Sequence, residues 1–244
     1  MTAGEDAMLR LEGVHTDIGR YRILHGVDLI ARRGRVTMLL GRNGAGKTTT
    51  LRTIMGLWRA RQGQIVFDGK SLAALETPHI ARLGIAYVPE NMGIFGKLTV
   101  RENMLLATAP RGFAQPNLDR VLDSFPMLKV KWDSAAGSLS GGQKQMLAIA
   151  RAIIEQRRLL LIDEPTKGLS PAMVGQLVGA LLRLKAEQTT ILLVEQNFHV
   201  AEAVGDDFAV MDEGRIIHTG AMAALIADKA LQHRLLGLSM AAAV

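Results

Sequence analysis

The sequence predicts an α/β fold that combines a parallel sheet with an antiparallel β layer and a helical insert. Aliphatic runs without polar alternation lie at residues 36–40, 159–162 and 190–194, as expected for parallel strands covered on both faces. A glycine-rich loop and a helical pattern follow the first of these runs directly. Residues 8–34, by contrast, alternate between apolar and polar positions, which is typical of strands with one covered face.

The remaining strands are expected in short segments bounded by glycine, proline or turn residues. In chain order, these segments are residues 9–14, 23–30, 63–69, 85–89, 208–211 and 215–218. The first three suggest the antiparallel layer, and the segment at 85–89 ends at its proline. The last two flank Asp212-Glu213-Gly214, a turn sequence that predicts a hairpin.

Helical patterns dominate the middle of the chain. Residues 90–137 carry such patterns, interrupted by Pro110, Pro116 and Pro126, and this region is predicted to be a helical insert. Within it, Thr99-Val100-Arg101-Glu102 has the form of a capping box that opens a helix. A crossover helix is expected at 173–185, between the last two parallel strands.

Composition excludes several kinds of site. The 244 residues include no cysteine, so a disulfide, a zinc–cysteine site and a cysteine nucleophile are all impossible. The first seven residues carry two acids and no apolar core, so we expect no signal peptide, and no run of about 18 apolar residues predicts a membrane span. The net charge of +6 suits a polyanionic ligand, an acidic lipid surface or nucleic acid. Only 4% of residues are aromatic, which gives little support to stacking on single-stranded nucleic acid.

A phosphate-binding loop, or P-loop, is predicted after the first aliphatic run, because the sequence there fits G-x-x-x-x-G-K-[ST]. Its residues are Gly41, Arg42, Asn43, Gly44, Ala45, Gly46, Lys47, Thr48 and Thr49. The glycines let several backbone N–H groups converge on one anion, and the following helix adds the positive end of its dipole. Lys47 is expected to reach the β- and γ-phosphates of ATP, and the Thr48 hydroxyl to hold Mg²⁺. The alternative is a glycine-rich turn before a helix.

An acidic pair, Asp163 and Glu164, ends the aliphatic run at 159–162. Asp163 is expected to bind Mg²⁺ together with Thr48, and Glu164 to position and polarise the attacking water. Such a pair could also simply end a strand and cap the next helix. Its place after a P-loop favours the catalytic interpretation.

A third chemical segment consists of Leu139, Ser140, Gly141, Gly142 and Gln143. Ser140 and Gln143 have the spacing of a capping box, so one interpretation is merely a well-capped helix. Two adjacent glycines serve a cap poorly, because glycine costs about 1 kcal/mol in a helix. They do allow a backbone to approach an anion closely, which implies a second phosphate site.

The P-loop, Leu-Ser-Gly-Gly-Gln and the acidic pair, in this order, resemble the ATP-binding subunits of ABC transporters across residues 8–237. The resemblance implies a P-loop NTPase with a RecA-like core and parallel sheet, an antiparallel β subdomain and a helical subdomain. It implies a single domain with the core and β layer in 8–89 and 138–237, the helical subdomain in 90–137, and tails at 1–7 and 238–244. Two subunits would pair head to tail, so that each ATP lies between the P-loop of one and the Leu-Ser-Gly-Gly-Gln signature of the other.

Further segments are similar to the ATPases of branched-chain amino-acid importers, a branch that also includes urea and short-amide importers. These segments are AYVPE (86–90), TVREN (99–103), SFP (124–126), QMLAI (145–149), IDEPTKGL (162–169) and LVEQN (193–197). The resemblance implies transmembrane permease subunits, a second related or identical ATPase and, indirectly, a solute-binding protein as partners. It implies a peripheral position at the cytoplasmic face of the inner membrane, without a covalent anchor.

Some positions depart from the general family pattern. Glu90 stands where most members have glutamine, and it could approach Mg²⁺ or the attacking water. Gln196 stands where most have histidine; it can hydrogen-bond the γ-phosphate or the water but cannot carry a proton, which leaves Glu164 as the general base. Ser170 replaces an aspartate found in many members. The adenine-stacking aromatic aligns with Ile18, and Tyr21 could substitute for it.

We therefore expect an ATP hydrolase that drives an importer for branched-chain amino acids, or for urea or short amides. One alternative is a soluble ABC-type ATPase acting on nucleic acid or ribosomes, but residues 49–138 carry no heptad run and nucleic acid is not expected as a partner. Another is a nucleotide-binding module without hydrolysis, against which Lys47, Asp163 and Glu164 argue. Residues from Glu90 to about Leu106 are the expected permease contact.

Overall fold

A computed structural model describes residues 6–109 and 111–237. Within these described residues, ten strands form two sheets: β1 (Ala7–Ile18), β2 (Tyr21–Arg32), β3 (Val36–Leu40), β4 (Ala60–Phe67), β5 (Lys70–Ser71), β6 (Ile85–Val88), β7 (Leu159–Asp163), β8 (Thr190–Val194), β9 (Asp207–Asp212) and β10 (Arg215–Ala221). The helices are α1 (Lys47–Ile54), α2 (Thr77–Arg82), α3 (Val100–Thr108), α4 (Gln115–Ser124), α5 (Pro126–Val130), α6 (Gly141–Ile153), α7 (Pro171–Ala186), α8 (Phe198–Val204), α9 (Met222–Ala227) and α10 (Lys229–Leu236). A 3-10 turn covers Ala136–Ser138.

The larger sheet has the strand order β10-β9-β3-β8-β7-β6, and all of its pairs are parallel except that between β9 and β10. Strands β3, β7 and β8 are buried at every position. Apolar side chains pack against both faces of this sheet, in two separate core clusters. The α/β prediction with parallel strands covered on both faces is therefore confirmed.

The smaller sheet has the order β2-β1-β4-β5 and is antiparallel. Its strands β1 and β2 form a hairpin that closes at the pair Ile18 and Tyr21. Ala7, which was expected in the N-terminal tail, is instead the first residue of β1, because it pairs with Arg32 of β2. Asp6 is described as part of a turn before β1, whereas residues 1–5 of that tail lie outside the described residues, as does the expected tail at 238–244.

Helices α3, α4 and α5 and the 3-10 turn follow β6, where the helical insert was expected. The capping box is confirmed: the Thr99 hydroxyl accepts from the Glu102 N–H at 3.1 Å, and the Glu102 carboxylate accepts from the Thr99 N–H at 2.7 Å. Pro116 and Pro126 lie in the first turns of α4 and α5, where a missing N–H costs little, so they start helices rather than break them. Pro110 lies outside the described residues.

The crossover helix α7 is longer at each end than the predicted 173–185, since Pro171 starts it and Ala186 ends it. The hairpin of β9 and β10 around residues 212–214 is confirmed. In residues 6–109 and 111–237, no helix has the length and apolar character that a membrane span requires.

Candidate nucleotide-binding site

The P-loop connects β3 to α1 and lines a cavity of about 230 Å³. The cavity is lined by Ile23, Asn43, Gly44, Gly46, Lys47, Thr48, Thr49, Glu90, Glu164 and Lys167. A wider cleft of about 720 Å³ lies between the two sheets, but its lining contains no part of the P-loop or the acidic pair. Chemistry rather than size therefore identifies the smaller cavity as the candidate site.

Glycine is required at specific points of this loop. Gly41, Gly44 and Gly46 have φ angles of +146°, +82° and +108°, a region that other residues rarely adopt. A Cβ on Gly41 would lie 2.2 Å from the Met211 carbonyl oxygen, so no side chain fits there. Gly46 is also the N-cap of α1, and it offers no side chain to the N–H groups of the first turn. Those groups face the loop, as an anion site needs.

Lys47 is a buried cation at the base of the site, with 4% of its side chain exposed. Its Nζ donates to the carbonyl oxygens of Gly41 and Arg42, at 2.8 and 3.0 Å, and lies 3.5 Å from Glu164 Oε1. The ammonium is thus fixed by the loop that would surround a phosphate. Such a fixed, water-shielded charge interacts more strongly with an anion than an exposed lysine does.

Asp163, the last residue of β7, is fully buried beside Thr48. The Thr48 hydroxyl donates to Asp163 Oδ1 at 3.1 Å, and the Tyr87 hydroxyl donates to Oδ2 at 3.2 Å. Burial raises the pKa of Asp163, an effect that these two hydrogen bonds oppose. Burial, followed by the Asp163 charge, raises the pKa of Tyr87 to about 12, so Tyr87 remains a donor. The paired oxygens of Thr48 and Asp163 are the ligand type that Mg²⁺ prefers.

Glu164 follows β7 in a left-handed conformation, with φ of +45°, which is rare for a residue with a side chain. Its Oε1 accepts from Gln196 Nε2 at 2.6 Å, and the same amide nitrogen lies 2.7 Å from Asn43 Oδ1. Gln196 therefore connects the acidic pair to the P-loop. Strained backbone of this kind is common at active sites, where it aims a side chain.

Glu195 holds the strand ends together, a role that the sequence did not indicate. Its buried carboxylate accepts from the Thr166 N–H at 3.1 Å, from the Thr166 hydroxyl at 2.6 Å, and from the N–H groups of Gln196 and Asn197 at 3.0 and 3.2 Å. These contacts connect the turn after Glu164 to the turn that carries Gln196. Its one sequence signal is a charged residue placed directly after the aliphatic run of β8.

Glu90 lies at the cavity, beyond β6, and its carboxylate is bound by Lys167. Lys167 Nζ donates to Glu90 Oε1 at 2.6 Å and lies 3.7 Å from Glu164 Oε2. The structure thus brings Glu90 into the same cavity as Glu164 and the P-loop. Lys167 and Tyr87 lie in segments that resemble the importer ATPases. Their contacts with Glu90 and Asp163 join the ends of different strands, so no pattern along one segment predicts these contacts.

The signature residues lie apart from this cavity in the same chain. Ser140 caps α6, and its box with Gln143 is confirmed: Ser140 N–H donates to Gln143 Oε1 at 3.0 Å, and Gln143 N–H donates to Ser140 Oγ at 3.3 Å. Leu139 is buried, whereas Ser140 and Gly141 are exposed. A Cβ on Gly142 would lie 2.3 Å from Met173 Cε, so the second glycine serves packing against α7, while a Cβ on Gly141 would meet open space.

The two candidate adenine contacts face each other at the end of the β1–β2 hairpin. Tyr21 is 77% exposed and Ile18 is partly exposed. Neither belongs to the lining of the phosphate cavity, to which β2 contributes Ile23 instead. The adenine base would have to extend from this cavity toward the hairpin to reach Ile18 or Tyr21. Their role as adenine contacts therefore remains a prediction.

Comparison with known proteins defines the class. Residues 24–167 match the model of the ABC transporter family. The chain belongs to this family and is an ATP-binding subunit with ATPase activity coupled to transport.

Among curated proteins, the chain is 38% identical to the high-affinity branched-chain amino acid transport ATP-binding protein BraG of Pseudomonas aeruginosa, over 94% of this chain and all of that protein. It is 34% identical to a probable branched-chain amino acid transport ATP-binding protein, LivF, of Archaeoglobus fulgidus, over 95% of this chain and 99% of that protein. A crystal structure of a nucleotide-free ATP-binding cassette from an ABC transporter superposes with a TM-score of 0.81, at 25% identity, covering 96% of this chain and 99% of that one.

Proposed function

We propose that this ATPase subunit powers an importer for branched-chain, hydrophobic amino acids. The observation that carries the proposal is the full-length similarity to BraG, which extends over 94% of this chain. The solute itself would be recognised by other subunits, so the chain's own residues act on ATP. The proposed location is peripheral, at the cytoplasmic face of the inner membrane.

At the site, the P-loop N–H groups and the Lys47 ammonium bind the phosphates of ATP. Thr48 and Asp163 would hold Mg²⁺, and the Glu90 charge is near enough to act on Asp163. When bound, Mg²⁺ neutralises charge on the phosphates. The fit rests on the buried Asp163 carboxylate with its Thr48 hydroxyl partner and on the fixed Lys47 ammonium, which suit a divalent cation and a polyphosphate respectively.

Glu164 acts as the general base for the attacking water, and Gln196 orients the Glu164 carboxylate. The Gln196 amide donates to Glu164 Oε1 and holds the carboxylate toward the P-loop. Because an amide takes up no proton at neutral pH, proton acceptance falls to Glu164. Lys47 at 3.5 Å keeps this carboxylate beside the position of the terminal phosphate.

A second subunit completes the site with its signature. The exposed Ser140 and Gly141 at the start of α6 lie outside the chain's own phosphate cavity. Open space at Gly141 allows a partner's ATP to approach the backbone closely. We propose a head-to-tail dimer in which a second copy, or a related subunit in the working transporter, supplies Leu139 to Gln143.

The permease contact is proposed at the groove between the core and the helical insert. This groove, of about 610 Å³, includes Leu57, Met92, Gly93, Ala107 and Arg151 among its lining residues. Leu57 in its lining and Phe95, whose ring lies under the Arg151 guanidinium, are each 50% exposed, so apolar surface is available for a partner helix. Pro89 and Asn91 in the groove lining flank Glu90 of the nucleotide cavity, so a partner bound in the groove could change the position of Glu90.

Glu164→Gln tests the hydrolytic role. ATP turnover should fall at least about a hundredfold, because a general base contributes on that order. ATP binding should persist, and light scattering should show an ATP-dependent dimer accumulating. Glu202→Ala, an exposed acid on α8, serves as the matched control and should leave turnover unchanged. Unchanged turnover in Glu164→Gln would remove Glu164 from the base role.

A gene deletion tests the solute class. Cells lacking the chain should lose ATP-dependent uptake of labelled leucine, and the wild-type chain should restore it while Lys47→Ala should not. Loss of labelled urea or acetamide uptake, with leucine uptake intact, would contradict the amino-acid proposal and support the amide alternative.

A further inference from the structure

Lys167 lies at the mouth of the phosphate cavity between two carboxylates from different strand ends. Its Nζ is 2.6 Å from Glu90 Oε1 and 3.7 Å from Glu164 Oε2. Lys167 belongs to the same turn as Glu164, because its N–H donates to the Glu164 carbonyl at 3.3 Å. Glu90 instead follows β6 and leads toward the helical insert. The Lys167 ammonium thus connects the segment after β6 to the turn after β7, which have no direct backbone connection.

The charge arrangement explains why a cation is useful there. Burial is the main cause that raises the pKa of Asp163, and the nearby charges of Glu164 and Glu90 raise it further. Lys47 is already engaged beside Glu164 at the base of the cavity. An uncompensated carboxylate at the mouth would repel a polyphosphate.

Glu90 is the main partner of the Lys167 ammonium. Its hydrogen bond to that carboxylate is the largest cause of a raised pKa for Lys167, followed by the charges of Glu90 and Glu164. The two side chains remain 58% and 44% exposed, so solvent screens their attraction in the absence of a ligand. A nucleotide at the cavity would cover them and reduce that screening.

We propose that Lys167 is a positioning residue of the ATPase site, which neutralises Glu90 at the cavity mouth and connects it to the turn of Glu164. The proposal rests on the ATPase function of this cavity. It assigns Lys167 an action through Glu90 rather than on the nucleotide directly. The effect of Lys167 on ATP affinity should therefore depend on Glu90.

A double-mutant cycle tests this dependence. ATP affinity of the full chain is measured by displacement of a fluorescent ATP analogue, and turnover is measured in parallel, for Lys167→Ala, Glu90→Gln and the double variant. Lys167→Ala should weaken ATP binding about fivefold, the upper range for a partly exposed ion pair. In the Glu90→Gln background the same change should alter affinity less than about twofold. Lys167→Arg should keep most of the affinity, and Lys70→Ala, an exposed lysine on β5, should leave it unchanged.

An equal loss of affinity in both backgrounds would overturn the proposal, since Lys167 would then act on the nucleotide or on folding rather than through Glu90. Unchanged affinity in Lys167→Ala would overturn it as well. Melting temperatures without nucleotide identify a folding defect. Failure of the wild-type chain to bind ATP would instead count against the ATPase function, which keeps the two outcomes distinct.

Discussion

Replacing Glu195 by alanine should separate the two turns that carry Glu164 and Gln196. The buried carboxylate accepts two hydrogen bonds from Thr166 and one each from the N–H groups of Gln196 and Asn197. Alanine would leave all four donors without their acceptor. The Thr166 donors are buried, whereas those of Gln196 and Asn197 are partly exposed and could turn to water.

The two buried donors dominate the cost. Hydrogen bonds to a charged group contribute about 1.5–3 kcal/mol each, so their loss should cost about 3–6 kcal/mol. For a chain of this size, that corresponds to a fall in melting temperature of about 6–24 °C. Glu195→Gln should cost less, about 1–2 kcal/mol, because the amide oxygen can keep both Thr166 hydrogen bonds while the NH2 group faces the partly exposed N–H groups of Gln196 and Asn197.

Circular dichroism melting without nucleotide measures the stability effect, and steady-state ATP hydrolysis measures the effect on the site. Turnover should fall in both Glu195 variants at temperatures where they remain folded, because Gln196 no longer holds Glu164 in place. Glu202→Ala on α8 is the control and should lie within about 0.5 kcal/mol of the wild type. A Glu195→Ala chain that melts like the wild type would refute the reasoning.

Two further substitutions separate stability from activity. Burial raises the pKa of Asp163 above that of the unfolded chain, so its ionised form costs stability at neutral pH; the cost shrinks as pH falls below the folded-state pKa and is absent below the unfolded-state pKa. Asp163→Asn should therefore raise the melting temperature near neutral pH, with a gain that shrinks toward acid pH in a melting series, while Mg²⁺-dependent turnover is lost; a gain that stays constant with pH would contradict this cause. Gly141→Ala meets open space and should stabilise the chain by about 0.5 kcal/mol. Its turnover should nevertheless fall if a partner's ATP approaches this backbone, and full turnover in a steady-state assay would place the second phosphate contact elsewhere.

The fold could be predicted where one local pattern dominates. Strands β3, β7 and β8 are aliphatic at nearly every position, because the parallel sheet is covered on both faces. The predicted ends of helices and strands were less accurate than their positions. β1 extends to Ile18 through pairing with β2, and α7 begins at Pro171, a residue that fits the first turn of a helix but carries no apolar periodicity.

The site could be predicted only as far as its motifs extend along the chain. The P-loop and the acidic pair are contiguous sequences, and the structure places Glu164 with the P-loop at one cavity and Asp163 against Thr48. Tyr87, Glu195 and Lys167 instead act through contacts between different strand ends. Such contacts depend on strand order, β8-β7-β6, which periodicity along one segment does not contain.

Mixing two inactive chains tests the central claim, that the P-loop of one subunit works with the signature of another. Lys47→Ala removes the phosphate cation and leaves the signature intact, whereas Ser140→Arg blocks the signature and leaves the P-loop intact. Each variant alone should show almost no ATP turnover. In a head-to-tail dimer, an equimolar mixture assembles one complete site in the mixed pairs, so turnover should recover to about a quarter of the wild-type value. A mixture no more active than the sum of the separate variants would contradict the two-subunit site.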